Sequence, residues 1–437
     1  MDINVPRGKF NSKILQAEPM VCWLTSTEIA ICVWTHKRIA VFPSFKSVGE
    51  NGTYPRKLIL ASQIIEGNTP TVIRFGCLTD PLTDSRKGPP QIETTLFLEA
   101  ESGKTRIPVF ELFYQIPKYW DGSSEEVPDF SILMGSCFRL LGDNYSKNIK
   151  YPLFEQYNKY SLKANLGLFL GDNIYLNNHY IQSESGLFQR YHKLRTMPLF
   201  NGIWTNLEWC AVADDHDLGI DNGTSGVPYF YLCSKVFQKM WQNNSYNPIS
   251  PMIWSIIRYD IFILGLDGQS FRTPPGKKNC TILGKDQINW LRQSLYSIKK
   301  INTNPFILIC VGQPFIAPGT TYFSSYPEDS KKITDMIIEF NLKNVIFLTG
   351  DSHFSDISEK TIANNIKIYE FRCSPFSSTP QDPSKKPNPD RVPNSAIEDN
   401  NFAQLFFSGK YGKRRLEYKN VLPDGSTPVL YSLEQQF

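Results

Sequence analysis

The chain has 437 residues, of which 41% are hydrophobic, 13% aromatic and 20% charged, a balance that excludes a disordered or fibrous polypeptide and supplies apolar material for two or three packed units. A net charge of +4 spread over that length contains no sustained basic block, so no nucleic-acid partner is expected, and apolar runs such as PFILICV are too short to span a bilayer. Nine cysteines without a CxxC pair argue against a disulfide framework and against a structural zinc site.

The opening segment, MDINVPRGKFNSKILQAEPM, has neither the apolar core of a signal peptide nor paired arginines, and a cytoplasmic location is expected. Residues 20–115 read as all-β. STEIAICVWTH, RIAVFPS, RKLILAS, TVIRFGC, ETTLFLEA and RIPVFELFYQ are short β-prone runs separated by turn formers, which predicts a sandwich-like domain over residues 1–120. PKYWDGSSEEVPD, residues 117–129, is polar and turn-rich and is the expected linker to a second unit over 130–437.

In that second unit strands alternate with helical periodicity. SGLFQRYHKLRTMPLF places Leu187, Phe188, Tyr191 and Leu194 on one face; GKDQINWLRQSLYSIKK does the same with Ile288, Leu291, Leu295 and Ile298. DSKKITDMIIEFNLKN is a third helix, and RYDIFILGLDG and PFILICVGQP are core strands between them, which together predict an α/β sandwich. Residues 379–401 form a proline-rich loop long enough for a lid or a docking element. The basic cluster 409–419 reads first as one solvated face, and the tail as a hairpin turning near Asp424 and Gly425.

Four apolar runs of this unit end in chemistry. Ser131–Met134 lead to Gly135, Ser136 and Cys137; Leu166–Leu170 lead to Gly171, Asp172 and Tyr175. Trp209–Ala213 lead to Asp214, Asp215, His216 and Asp217, with Asp221 and Asn222 beyond; VIFLTGDSHF ends in Asp351 and His353. Ligands of open α/β sheets bind beyond the carboxyl ends of parallel strands, so these four ends can converge on one site. Crowded carboxylates repel, and a cation is the usual compensation. Of the five histidines, His36, His179 and His192 fall outside these motifs, so a nitrogen-rich dizinc site is poorly supplied. A thiolate with a phenolate suits a transition metal such as iron, and carboxylate, amide and carbonyl oxygens suit calcium, magnesium or manganese. Two such ions clamp an in-line displacement at phosphorus, one activating the attacking water.

The ordered series GSC, GDNIY, DDHDLG…DNG and GDSHF, followed by EFRCSPFSS, resembles the PhoD-like alkaline phosphatases, members of the calcineurin-like metallophosphoesterases that share the GDxxY element with purple acid phosphatases. The segment LDGQSFRT…LGKDQINWL fits the same pattern, and the resemblance spans about residues 130–377. It implies a metallophosphoesterase-type four-layer α/β sandwich as the catalytic domain, ending in a β hairpin, behind an N-terminal β domain. It also implies a phosphoesterase acting on phosphomonoesters or diesters through a metal-activated hydroxide. The implied metals are iron(III) on Cys137, Asp172 and Tyr175, with calcium reaching Asp172, Asp215 and Asp351; magnesium, manganese and zinc are the alternatives. His353 is expected as a ligand or its support, His216 as the acid beside Asp215, and Asp214, Asp217, Asp221 and Asn222 as further ligands or orienting groups. Arg139, Arg190 and Arg195 are the candidates for gripping the phosphate of a phosphorylated substrate. The chain departs from sister enzymes in carrying VGQPF, residues 311–315, where they place a metal-binding histidine, and GDSH for GHxH. The competing expectation is a phospho-ligand binding or scaffold protein on the same fold with weak turnover.

Overall fold

The computed structural model describes residues 9–24, 28–48, 57–59, 62–76, 93–102, 105–115, 120, 122, 124–139, 152–176, 180–197, 200, 202–241, 247–302 and 304–436. His179 and part of the expected linker, residues 117–119, 121 and 123, lie outside them. The β-prone runs of the N-terminal third form β1 (Lys9–Phe10), β2 (Met20–Leu24), β3 (Glu28–Trp34), β4 (Ile39–Val48), β5 (Lys57–Ile59), β6 (Gln63–Ile65), β7 (Pro70–Gly76), β8 (Glu93–Ser102) and β9 (Thr105–Gln115). Next come β10 (Phe130–Gly135), α1 (Pro152–Ser161), β11 (Leu166–Leu170), α2 (Glu184–Arg195), α3 (Ile203–Asn206), β12 (Glu208–Val212), α4 (Asp215–Leu218) and α5 (Phe230–Trp241). The last stretch holds β13 (Trp254–Arg258), β14 (Ile261–Gly265), α6 (Gly284–Ile301), β15 (Phe306–Cys310), α7 (Pro327–Glu339), β16 (Val345–Thr349), β17 (Asp356–Ala363), β18 (Ile366–Arg372), β19 (Phe402–Ser408), β20 (Arg415–Val421) and β21 (Leu430–Glu434).

Two sheets face one another at the centre. One has nine strands in the order β21-β20-β19-β10-β11-β12-β2-β3-β7, the other six in the order β13-β14-β15-β16-β18-β17. Alternation along β10 shows why they stack: Ile132 and Met134 join the core between the sheets, whereas Leu133 points to the outer face with Phe169 and Trp209, as a period of two requires. Helices α1, α2, α3 and α5 cover that outer face with Phe154, Tyr191, Trp204 and Trp241. On the far side, α6 and α7 cover the six-stranded sheet through Leu291, Leu295, Ile333 and Ile337. The result is a four-layer α/β sandwich.

The N-terminal strands are divided between two sheets. β4, β5, β6, β8, β9 and β1 form their own antiparallel sheet, while β2, β3 and β7 continue the nine-stranded sheet, with β2 lying parallel beside β12. The two layers enclose Ile31, Val41, Ile73, Leu98 and Val109, so the sandwich-like arrangement shares one layer with the larger unit. The C-terminal hairpin pairs β20 with β21. The basic cluster beside it is spent locally: Arg414 is buried against Asp260, and Lys410 and Arg415 pair with Glu125, Glu417 and Glu434. No helix among the described residues is long and apolar enough to cross a membrane.

Candidate metal centre

β10, β11 and β12 run parallel, as do β14, β15, β16 and β18, and their carboxyl ends point the site residues to one place. The chain leaves three of these strands through strained backbone. Cys137 has φ 57°, Asp172 51°, Asp351 65° and His353 56°, the left-handed region that L residues adopt at a cost and that clusters at functional sites. Two glycines let Asp214 enter the same space. A Cβ on Gly312 would stand 2.4 Å from Asp214 Oδ2, and one on Gly171, at φ 89°, would stand 2.7 Å from Asp214 Cβ. Neither position tolerates a side chain without movement.

The ligand atoms fall into two groups that share one residue. Cys137, Asp172 and His353 bring a thiol, a carboxylate oxygen and a ring nitrogen within 4.8 Å of one another, and Asp172, Asp215 and His216 do the same. Tyr175 closes the first group: its hydroxyl donates to Asp172 Oδ2 at 3.0 Å, stands 3.1 Å from His353 Nε2 and accepts from Ser378 Oγ at 3.0 Å. Ser374 Oγ donates to Cys137 Sγ at 3.1 Å. His353 Nδ1 meets the Thr379 carbonyl at 3.0 Å, so the proton on that nitrogen is fixed and Nε2 turns its lone pair to the site.

Around the second group, Asp214 caps α4 in a reciprocal box with Asp217, whose Oδ2 accepts from the Asp214 amide at 3.0 Å. Asp215 Oδ1 accepts from the His216 amide at 2.8 Å, and its Oδ2 accepts from the Asn222 amide. His216 stacks near Tyr175, ring centroids 4.2 Å apart, with Nε2 3.6 Å from Asp221 Oδ1. Asn222 gives its side-chain amide to Asp221 at 2.8 Å, and the Asp221 side chain is 74% exposed; both support His216 from the rim. Asp351 belongs to neither ligand group and borders them, its charge felt by Asp172, Asp214 and Cys137.

The electrostatics leave this arrangement unbalanced. Burial, reinforced by Asp215 and Asp214, pushes the Asp172 carboxyl well above the usual range, and burial with Asp215 does the same to Asp214. Burial raises Asp217 to about 8 and, with Asp215, Asp351 to about 6. The Cys137 thiol and the Tyr175 phenol are raised too, first by burial and then by their anionic neighbours. Five buried oxygens here have no hydrogen-bond donor: Asp172 Oδ1, Asn173 Oδ1, Asp214 Oδ2, Asp217 Oδ1 and Gln313 Oε1. Orphaned acceptors amid crowded carboxylates are the surroundings a cation completes. The donor set therefore fits metal ions.

Some participants were not legible from the strand ends. Gln313 Nε2 donates to Asp214 Oδ1, as does Gln269 Nε2 at 2.5 Å. Gln313 is set by the turn after β15, where the amides of Phe315, Ile316 and Ala317 donate to the buried Glu370 carboxylate at 2.7, 3.0 and 3.1 Å. Gln313 thus reaches Asp214 from the carboxyl end of β15. Of the arginines, Arg139 remains exposed at the mouth with its guanidinium 5.7 Å from the Tyr175 ring centroid. Arg195 is corrected: buried at the far end of α2, it donates Nη2 to the Glu18 carbonyl at 2.6 Å and lies 5.1 Å from the Trp204 ring. Arg190 donates to the Tyr175 carbonyl at 3.3 Å and holds backbone. His192 contacts the Gln16 carbonyl at 2.9 Å, away from the site.

No family model matches the sequence, and no curated protein matches it. Among solved structures, that described as "Structure of PhoD" matches with a TM-score of 0.71 at 15% identity, covering 98% of this chain and 92% of that one. GAP50, described as "the anchor in the inner membrane complex of Plasmodium", matches at 13% identity and a TM-score of 0.46, over 71% of this chain and 90% of that one. Vps29 from Entamoeba histolytica matches at 10% identity and 0.25, over 70% and 100%. The likeness to PhoD runs almost the full length of both chains, and the chain has the PhoD fold.

Proposed function

We propose that this chain is a metal-dependent phosphoric-ester hydrolase, an alkaline phosphatase of the PhoD type acting on a phosphorylated substrate. One observation carries the reading: Asp172 is common to two ligand groups, and a carboxylate with two oxygens can serve two ions at once. Cys137, Asp172, Tyr175 and His353 would hold iron(III), whose affinity for thiolate and phenolate matches the first group. Asp172, Asp215 and the free oxygens of Asp214 and Asp217 would hold calcium. When bound, such ions polarise phosphoryl oxygens and acidify water, the chemistry that ester hydrolysis needs at neutral pH.

The chain supplies the rest. His216, on the rim with Asp221 at its Nε2, would give a proton to the departing alcohol. His353, with Nδ1 tied to Thr379, keeps Nε2 directed at the site. Arg139, exposed beside Tyr175, meets the anionic substrate at the entrance.

Metal analysis of the purified protein, with turnover on 4-nitrophenyl phosphate and bis(4-nitrophenyl) phosphate, tests the reading. We expect iron and calcium in the protein, a visible charge-transfer band that vanishes when Cys137→Ser and Tyr175→Phe are combined, and ester hydrolysis lost on chelation. Full activity with zinc and no colour would remove the iron assignment; saturable phosphate binding without turnover would make the protein a binder.

A further inference from the structure

The proline-rich segment 379–401 is tied down at the site. The Thr379 carbonyl receives His353 Nδ1, and the Gln381 amide donates to the His353 carbonyl at 2.8 Å. Arg391 donates to Asp356 Oδ2 at 2.7 Å and, through Nη2, to the Lys386 carbonyl at 2.9 Å. Asn388 reaches Ser358 Oγ at 2.8 Å. This fastening fixes where Lys386 lies.

Three cations surround the buried Phe354 ring, next to His353: Arg372 at 4.3 Å from its centroid, Arg391 at 5.5 Å and Lys386 at 6.0 Å. Two are accounted for by one acid. Arg372 donates to Asp356 at 2.9 and 2.6 Å, and Arg391 shares the same carboxylate. Lys386 is different: among the described residues its half-buried ammonium makes no ion pair. The charges acting on it are those of Asp351 and Cys137, with Arg372 opposing, and burial holds its pKa down. The ammonium thus lies near enough to the site to feel Asp351 and Cys137, and among the described residues it has no hydrogen bond or ion pair of its own. A desolvated cation with free donors is an anion site.

Resting on the phosphoesterase reading above, we infer that Lys386 is the lysine that anchors a non-bridging phosphoryl oxygen, and that it selects phosphomonoester dianions over phosphodiesters. A monoester presents three non-bridging oxygens and two charges. A diester replaces one of these oxygens with an uncharged ester group and keeps one charge, so it returns less for the same ammonium.

The test uses the full-length, metal-loaded protein. In Lys386→Met, which keeps the aliphatic stem against Phe354, kcat/KM on 4-nitrophenyl phosphate should fall about 10- to 100-fold, the loss of one charge-assisted hydrogen bond. On bis(4-nitrophenyl) phosphate the fall should stay within about 3-fold. The inhibition constant of inorganic phosphate should rise with the monoester loss, bound metal should stay at the parent level, and Lys386→Arg should recover part of the selectivity. Equal losses on both esters, no loss on either, or an unchanged phosphate constant would overturn the assignment; reduced metal content would make Lys386 a support for Asp351 instead. Should Lys386→Met not fold cooperatively, Lys386→Gln replaces it. Should the parent hydrolyse neither ester, the phosphoesterase reading fails by itself, and calorimetry of inorganic phosphate on parent and variant still decides: equal affinity, or no binding by the parent, overturns the anchor.

Discussion

Asp172 and Tyr175 meet at 3.0 Å, carboxylate to phenol, across the three-residue step that follows β11. The same carboxylate belongs to both ligand groups, so its loss reaches both. Asp172→Asn is expected to reduce bound metal at both positions and to lower turnover about 100-fold or more. In chelator the variant should be at least as stable as the parent, because it no longer carries a carboxyl whose ionised form burial, Asp215 and Asp214 disfavour. With metal, the parent should gain about 2.7 kcal/mol at a hundredfold excess over its dissociation constant, and the variant should gain little. Metal analysis and thermal unfolding with and without chelator check this; normal metal content in Asp172→Asn would remove Asp172 from the centre.

The metal-free protein should lose stability as pH rises. Asp217 is raised to about 8 and Asp351 to about 6 in the folded chain, above the unfolded carboxyl value of about 4. Their protonated forms stabilise the fold fully below that unfolded value. The contribution is lost as pH climbs to about 6 for Asp351 and about 8 for Asp217, at about 1.4 kcal/mol per pH unit for each proton held only by the folded state. Unfolding in chelator from pH 5 to 8 should show the decline, and Asp217→Asn should flatten it. Added metal should oppose it, since cations favour the ionised carboxylates. A flat chelated profile would count against it.

The arginines separate substrate binding from architecture. Arg139→Ala should raise KM for a phosphomonoester about 10-fold, because the mouth then lacks a charged hydrogen-bond donor for the phosphoryl group, with the unfolding midpoint little changed. Arg195→Met should leave kcat/KM near the parent value while destabilising the chain by about 1–3 kcal/mol, because the Glu18 carbonyl loses its donor. Steady-state kinetics and denaturant titration distinguish these patterns. The reverse pattern would return Arg195 to the substrate.

For His216, the leaving group is the probe. If its imidazole protonates the departing oxygen, His216→Ala should cost about 100- to 10,000-fold on alkyl phosphates with high-pKa alcohols and much less on 4-nitrophenyl phosphate. Bound metal should persist. Equal losses with falling metal content would make His216 a ligand of the Asp172 and Asp215 group.

How far the sequence disclosed this site follows from the physics of strand ends. Cys137, Asp172, Asp215 and His353 were legible because each interrupts an apolar run that can only be a buried strand, leaving polar groups to gather past the sheet edge. Gln313 and Gln269 announce no charge, and their part emerges only where Asp214 needs donors. Lys386 sits in a proline-rich segment whose path depends on Arg391 finding Asp356, far away in the chain. Arg195 looks the same in sequence whether its guanidinium turns to a ligand or to the Glu18 carbonyl. The N-terminal strands were legible as strands, yet the pairing of β2 with β12 joins residues nearly two hundred positions apart, and no local pattern encodes that partnership.

The left-handed backbone at Asp172 and Asp351 makes these positions readable by selection. Glycine there relieves a conformational cost of roughly 1 kcal/mol or more and deletes a carboxylate that burial disfavours. In a library of all single substitutions sorted twice, once for cellular abundance and once for phosphate release, glycine at residues 172 and 351 should rank among the most abundant variants and among the least active. Alanine should trail glycine in abundance at the same two positions while matching its inactivity. That divergence would mark the aspartates as retained by selection for activity at the expense of folding.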